Sequence, residues 1–192
     1  MIRIPQLIFG IGLNKTGTKA LCSALSMLGL RVCHDWDATS EQVDRLRSGQ
    51  KDVFLEADAW FDGTLAYHVE LLAERFPDAT FILTTRNKND WLRSRIIHVL
   101  YNRVYETSDW QEIDTRAWSK EWDQHHEKVI DVLSQHRLVI LDIPGGDGWE
   151  QLCPPLGLPI PHAPFPRINS SVDRLECILH RLKVRKSSAI RL

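Results

Sequence analysis

The run Gly10-Ile11-Gly12-Leu13-Asn14-Lys15-Thr16-Gly17-Thr18-Lys19 gathers glycines, two cations and two hydroxyls into one short stretch. Those residue types suit an anion, and above all a phosphate. Glycine lets the backbone approach a ligand with no Cβ in the way, here at Gly12 and Gly17. Lys15 adds charge, and the hydroxyls of Thr16 and Thr18 add donors. The apolar run Leu7 to Ile11 predicts a buried strand before this loop. Ala20 to Leu28 places Leu21, Ala24, Leu25 and Leu28 at helical spacing and stops at Gly29, which predicts a helix after it. Strand, loop and helix in that order aim free N–H groups and the positive end of a helix dipole at one point. Gly12 and Gly17 have the separation of a Walker A loop, but Thr18-Lys19 transposes its Lys and hydroxyl, and Lys15 sits inside the loop. The dinucleotide-binding glycine spacing fails after Gly12.

A second stretch bears on the same ligand. Phe76-Pro77-Asp78-Ala79 breaks a helix, and Thr80 to Arg86 is β-branched and apolar enough for a central strand. Arg86 ends that strand. Asp90 is then a plausible N-cap before Trp91-Leu92, with Ser94 about one turn into the helix. Open parallel sheets bind ligands beyond the carboxyl ends of their strands, so Arg86 and Ser94 can share a site with the first loop and grip a second phosphate.

With these two segments in view, the chain resembles the superfamily of sulfotransferases that use 3′-phosphoadenosine 5′-phosphosulfate (PAPS), as a small bacterial-type member. The family's Lys-x-Gly-Thr loop corresponds to Lys15-Thr16-Gly17-Thr18, and its strand-end Arg and later Ser to Arg86 and Ser94. Asn87-Lys88 stands where Asp-Pro is common. Gly148-Trp149-Glu150-Gln151-Leu152-Cys153-Pro154-Pro155-Leu156-Gly157 and Pro164-Phe165-Pro166-Arg167-x-Asn169 also follow the family style, so the likeness covers about residues 5 to 170. It implies a sulfuryl transfer from PAPS to a hydroxyl or amine acceptor, leaving adenosine 3′,5′-bisphosphate. Lys15 would stabilise the leaving phosphate, and the N–H groups of Gly17, Thr18 and Lys19 would hold it. Arg86 and Ser94, and Arg167 as a late basic residue, would bind the 3′-phosphate, with no metal. A general base is needed: Asp58 is preferred, with Glu56, His34 and His125 as further candidates. The acceptor, whether small molecule, carbohydrate or lipid, would lie against Trp60–His68 and Ile96–Trp110.

The elements that must carry these residues follow from periodicity. Strands are predicted at Leu7–Gly12, Leu30–Cys33, Asp52–Glu56, Thr80–Arg86 and Arg137–Ile143. Helices are predicted after the first loop, after a capping box of Thr39 and Gln42, across Leu65–Phe76, at Asp90–Tyr105, at about Arg116–Ser134, and from Ser171. On the last, Val172, Leu175, Ile178, Leu179 and Leu182 share one side. Trp118, Trp122, His125, Val129 and Leu133 share a face as core packing. Gly145 to Gly148 reads as a mobile turn. Strands alternating with helices predict a three-layer α/β/α fold with a mostly parallel sheet, like P-loop nucleoside triphosphate hydrolases.

At 192 residues and 43% hydrophobic content the chain suffices for one domain, 1–192, with a solvated basic tail at about 183–192. A net charge of −1 offers no field for nucleic acid, and no apolar run is long enough to span a membrane. The four cysteines are scattered as buried thiols would be in a reducing, cytoplasmic compartment. Oligomeric state stays open. Two other readings stay open as well. One is a small nucleotide kinase or ATPase using the variant loop with Asp142 and Mg²⁺, and the other is a nucleotide-binding module without catalysis.

Overall fold

The computed structural model describes residues 6–108, 110–168 and 171–189, the side chains of 171 and 182–189 excepted. Asn169 and residues 190–192 lie outside it. Five strands form one sheet in the order β2-β3-β1-β4-β5, where β1 is Ile8–Gly10, β2 Val32–Cys33, β3 Ala59–Phe61, β4 Thr80–Thr84 and β5 Arg137–Leu141. Every pairing is parallel. Around the sheet lie α1 (Thr18–Met27), α2 (Trp36–Arg47), α3 (Gly63–Tyr67), α4 (Val69–Arg75), α5 (Lys88–Tyr105), α6 (Thr115–Val132), α7 (Trp149–Leu156) and α8 (Ser171–Ala189).

The layers follow from the two-residue period of a strand. Phe9, Trp60, Phe81 and Leu83 face one way, onto Val43 and Leu46 of α2, Leu65 of α3, Val69 and Leu72 of α4, and Val129 of α6. Ile8, Ala59, Phe61 and Ile82 face the other, onto Leu21 and Leu25 of α1 and Leu152 of α7. With both faces covered, the sheet is the middle of a three-layer α/β/α structure, as its strands' near-continuous apolar character required. A third cluster, Leu13, Ala66, Trp91, Val99, Trp118 and Trp122, packs α3, α5 and α6 together beside the glycine loop.

Several boundaries differ from the expectation, each for a physical reason. The predicted strand Asp52–Glu56 is a loop, and the strand is β3, seven residues later. Phe54 has a left-handed backbone (φ 60) and plugs the core against Phe9 and Trp60, both with ring centroids 5.1 Å away. Thr39 and Gln42 do not cap α2. Asp35 does, accepting from the Ala38 N–H, while buried Gln42 accepts from the Phe54 N–H at 2.9 Å. Asn87, not Asp90, caps α5, its side chain accepting from the N–H groups of Asn89 and Asp90. The helix predicted across Leu65–Phe76 breaks at His68 into α3 and α4. Helix α7, within the Gly-Trp-Glu stretch, was not predicted. Among the described side chains of the predicted apolar side of α8, Ile178 is buried, whereas Val172, Leu175 and Leu179 are exposed; the Leu182 side chain lies outside the described residues. The helix runs on to Ala189, through most of the expected tail.

The sheet explains Gly12. A Cβ there would stand 2.0 Å from Thr84 Oγ1 and 2.6 Å from the Thr84 carbonyl oxygen. Its need for glycine is thus the close approach of β1's exit to β4. Gly29 has φ +85 and nothing within 4 Å of a built Cβ, so its need is conformational alone. Gly12→Ala should therefore lower stability by about 3 kcal/mol or more, a fall of roughly 10 °C in Tm. Gly29→Ala should cost about 1 kcal/mol. Thermal melts of the two variants compare them directly.

Candidate functional site

From β1 the chain crosses α1 to β2 and returns at β3 on one side, whereas β4 leads to β5 on the other. The order therefore reverses between β1 and β4, and a crevice opens there at the carboxyl ends of the strands. The loop after β1 and Arg86, just after β4, flank that crevice.

The loop is fixed through its carbonyl groups. The Thr16 hydroxyl donates to the Leu13 carbonyl at 2.5 Å and meets Thr84 Oγ1 at 2.6 Å. Trp91 Nε1–H donates to the Asn14 carbonyl at 2.8 Å, and Arg86 donates to the Lys15 carbonyl at 3.2 Å. His125, on α6, holds the Ile11 carbonyl through Nε2 at 2.8 Å. Lys15 and Gly17 both adopt left-handed backbone, φ 67 and 101. Gly17 is the N-cap of α1 and supplies no capping side chain, and no acidic residue lies in the first turn. Among the described residues nothing accepts from the N–H groups of Thr18 and Lys19. They are donors at a positive helix end, ready for an anion.

Positive charge converges on this point. Lys15 is pushed down to about 7, first by burial and then by the charges of Arg174, Lys19 and Arg86. Arg86 is half-buried, its Nε has no hydrogen-bond partner among the described residues, and burial disfavours its charge. Arg174, from α8, is half-buried too, and burial lowers its pKa as well. None of these four cations makes an ion pair among the described residues. His98, on α5, is lowered to about 4 by burial and then by Lys15, Arg174, Lys19 and Arg95. Ser94 is buried one helical turn before it. A cavity edge that gathers four cations without an ion-paired carboxylate among the described residues fits a multiply charged anion.

The side wall is built from α3, α5 and α6. Arg95 is buried, pairs with Glu121 and lies 4.6, 5.0 and 4.6 Å from the rings of Trp91, Trp110 and Trp118. Glu121 also accepts from the Tyr67 hydroxyl at 2.7 Å. Tyr67 is exposed on the outer side of this network. Trp60, expected near an acceptor, is instead inside the core, donating to the carbonyls of Phe54 and Ala57.

The structure brings Lys15, Thr16, Gly17, Thr18, Lys19 and Arg86 to one crevice, with Ser94 on the adjoining helix. The Thr16 hydroxyl is turned inward, so it shapes the loop and is not a donor to a ligand. Asp58 and Glu56 are elsewhere. Asp58 precedes β3, where its carbonyl takes the Ile8 N–H and its carboxylate binds Arg31 at 2.8 Å. That is the amino end of the sheet, about 13 Å along β3 from the crevice end. The residue at the crevice end of β3 is Asp62. Phe61 pairs with Gly10 in register, so Asp62 stands level with the start of the glycine loop. Sequence reasoning missed it because the strand was placed too early. The usable signal was Ala59-Trp60-Phe61 followed by Asp-Gly-Thr, a buried strand running into a polar helix start. Arg174 was missed for want of any local signal. Arg167 is exposed between α7 and α8. His34 is exposed, and His125 is lowered to about 4, first by burial, and serves as a tether for the loop. The Gly145–Gly148 turn is pinned: Asp142 and Asp147 exchange bonds, and Asp142 Oδ1 accepts the Gly145 N–H at 2.7 Å.

The crowding of Lys15 has a consequence for stability. The unfolded chain holds the Lys15 proton up to its ordinary 10.5, whereas the folded chain releases it near 7. Between those values the unfolded state binds more protons, so Lys15 opposes folding fully below about pH 7 and less as pH rises toward 10.5. Lys15→Met should raise Tm by several degrees at neutral pH, and the gain should vanish near pH 10.5. Melts of both proteins across that range check the sign.

Comparison with known proteins agrees with the architecture. The profile of a sulfotransferase domain family matches residues 7–99 and 94–173. The chain is also similar to "Ava biosynthesis cluster protein M" of Aspergillus versicolor, 27% identical over 209 aligned positions that cover 84% of this chain and 80% of that protein. A domain match across most of the sequence, on an all-parallel sheet with its glycine loop at the switch point, places this chain in the sulfotransferase domain family.

Proposed function

We propose that the protein transfers a sulfuryl group from PAPS to a small-molecule, carbohydrate or lipid acceptor. The observation that carries this reading is the meeting of Lys15, Lys19 and Arg86 with a free helix N-terminus in a crevice without ion-paired carboxylates. PAPS supplies an activated sulfuryl group whose leaving group is a phosphate, so the protein's task is to position the reactants and stabilise negative charge. The N–H groups of Thr18 and Lys19 hold the 5′-phosphate. Lys15 places its ammonium where charge develops on the departing oxygen. Arg86 and Ser94 hold the 3′-phosphate, and the buried unpartnered Nε of Arg86 is a donor waiting for that acceptor.

Arrival of the anion also restores the proton on Lys15. Near pH 7 the free side chain is only partly charged, and a phosphate beside it favours the ammonium. Asp62 takes the proton of the acceptor. Its carboxylate is half-buried at the crevice end of β3 and oriented by the Gly63 N–H and the Thr64 hydroxyl. A carboxylate held in place by its own helix start is positioned without a further partner.

Adenosine 3′,5′-bisphosphate at a hundredfold excess over Kd should add about 2.7 kcal/mol, a shift of roughly 5–10 °C for a domain of this size. Adenosine 5′-monophosphate should shift Tm less, and Arg86→Ala should erase the difference between the two. A shift with Mg-ATP alone would mean a kinase-like site instead. Binding near pH 8 should take up protons through Lys15, read by calorimetry in buffers of different ionisation enthalpy. With an acceptor in hand, Lys15→Met should lower kcat about 10²–10³-fold and Asp62→Asn about 10²–10⁴-fold. Asp58→Asn should leave kcat unchanged. Full activity in Asp62→Asn would remove that residue from the mechanism.

A further inference from the structure

The helix farthest along the chain reaches into the site. Helix α8 packs chiefly on α5, along a face that carries Ser94, His98, Tyr101 and Tyr105 at spacings of four, three and four residues. Tyr101 and Tyr105 stack at 4.6 Å. From α8, Arg174 lies over the Tyr101 ring at 5.9 Å and Arg181 over the Tyr105 ring at 5.9 Å. The Tyr105 hydroxyl donates to the Cys177 carbonyl at 2.9 Å. Among the described side chains of α8, Ile178 is the hydrophobic one that is buried.

Arg174 thus sits on the α5 face beside Tyr101, three residues along the helix from His98. Its charge acts on Lys15 more strongly than that of Lys19 or Arg86, and it also acts on His98. The charges acting on Arg86, by contrast, are those of Asp90 and Asp142. Lys15 therefore feels two arginines carried by different elements: Arg86, after β4, which bonds the Lys15 carbonyl, and Arg174, on α8 against the Tyr101 ring of α5. A half-buried guanidinium beside a lysine, with no carboxylate paired to it among the described residues, is held against electrostatic repulsion. An anion bridging Lys15 and Arg174 reverses that cost.

We propose that Arg174 binds the 5′-phosphosulfate end of the donor, and that docking of α8 on α5 and occupation of that end are coupled. This rests on the PAPS reading above and deepens it: the late basic residue of this chain serves the transferred group, not the 3′-phosphate. A charge-assisted contact of this kind contributes about 10- to 100-fold in affinity.

The test measures Kd by calorimetry for adenosine 3′,5′-bisphosphate and adenosine 5′-monophosphate, on wild type, Arg174→Ala, Arg174→Lys and Arg86→Ala. Arg174→Ala should weaken both nucleotides by the same factor, at least tenfold, with Arg174→Lys recovering part of the loss. Arg86→Ala should weaken the bisphosphate selectively. Ile178→Asp, which undocks α8 but keeps Arg174, should weaken both nucleotides as Arg174→Ala does. Hydrogen exchange across 171–181 should slow when the bisphosphate binds wild type and not when it binds Arg174→Ala. Wild-type affinity in Arg174→Ala, or a loss confined to the bisphosphate, overturns the inference and leaves the PAPS reading standing. Unaltered affinity in Ile178→Asp overturns the coupling. Failure of the wild type to bind the bisphosphate overturns the PAPS reading and this inference together.

Discussion

Burial of cations, compounded at Lys15 by repulsion from its neighbours, is the constraint around which the rest of this structure is arranged. Burial depresses the pKa of Lys15 most, and the charges of Arg174, Lys19 and Arg86 depress it further. A cluster of that kind does not assemble through its own interactions. It persists because the groups beneath it are held by contacts that owe nothing to charge. The apolar cores on the two faces of the sheet fix β1 beside β4, and Gly12 lets the two strand exits touch. The energy of those cores sustains an arrangement that is locally unfavourable, which is how sites store binding power.

The loop shows how the load is transferred. Its carbonyl groups from Ile11, Leu13, Asn14 and Lys15 are each taken by a side chain from the segment after β4, from α5, from α6 or from the loop itself. A peptide plane carries its C=O and the following N–H in opposite directions, so engaging the carbonyls outward orients amides inward. Trp91 and His125 are therefore positioning residues even though neither faces the crevice. Because His125 is held neutral by burial, its Nε2–H can donate to Ile11 without adding a further cation to the cluster. The Arg95–Glu121–Tyr67 network and its three tryptophans do similar work on the side wall, where the charge of Arg95 is spent on Glu121 and on aromatic faces.

What sequence made legible was what is local. Lys15 to Lys19 and Arg86 carry their meaning in adjacent residues, a buried strand followed by glycine or by a cation, and the sheet's parallel class follows from strands alternating with helices. Asp62 was obscured because Val53-Phe54-Leu55 has the composition of a strand. Phe54 in fact uses that hydrophobicity as a core plug with a left-handed backbone, which no composition reveals. Asp58 looked catalytic for the same reason: one misplaced strand moved the carboxylate from the amino end of the sheet to the crevice. Arg174 lies far from the loop along the chain. Its place depends on which face of α8 meets α5, and the apolar side of α8 pointed elsewhere, toward Val172, Leu175 and Leu179, which are exposed.

The distribution of apolar burial also separates the durable part of the molecule from the responsive part. Strands β1, β3 and β4 are buried throughout, and their clusters include helices from both layers. Helix α8 differs: among its described residues the contacts with α5 include buried Ile178, the bond from the Tyr105 hydroxyl to the Cys177 carbonyl, and two arginines resting on tyrosine rings. Local opening free energy follows such contacts, which is why the proposed coupling is placed on α8 and not on the sheet. An arginine carried on that helix is available to a ligand at little cost to the fold, whereas the same arginine built into β1 or β4 would add to the repulsion permanently. In the proposed function, the cationic groups on the firm scaffold would set the position of an anion. The one on α8, in the proposed coupling, would make its capture dependent on a contact that the anion itself can strengthen.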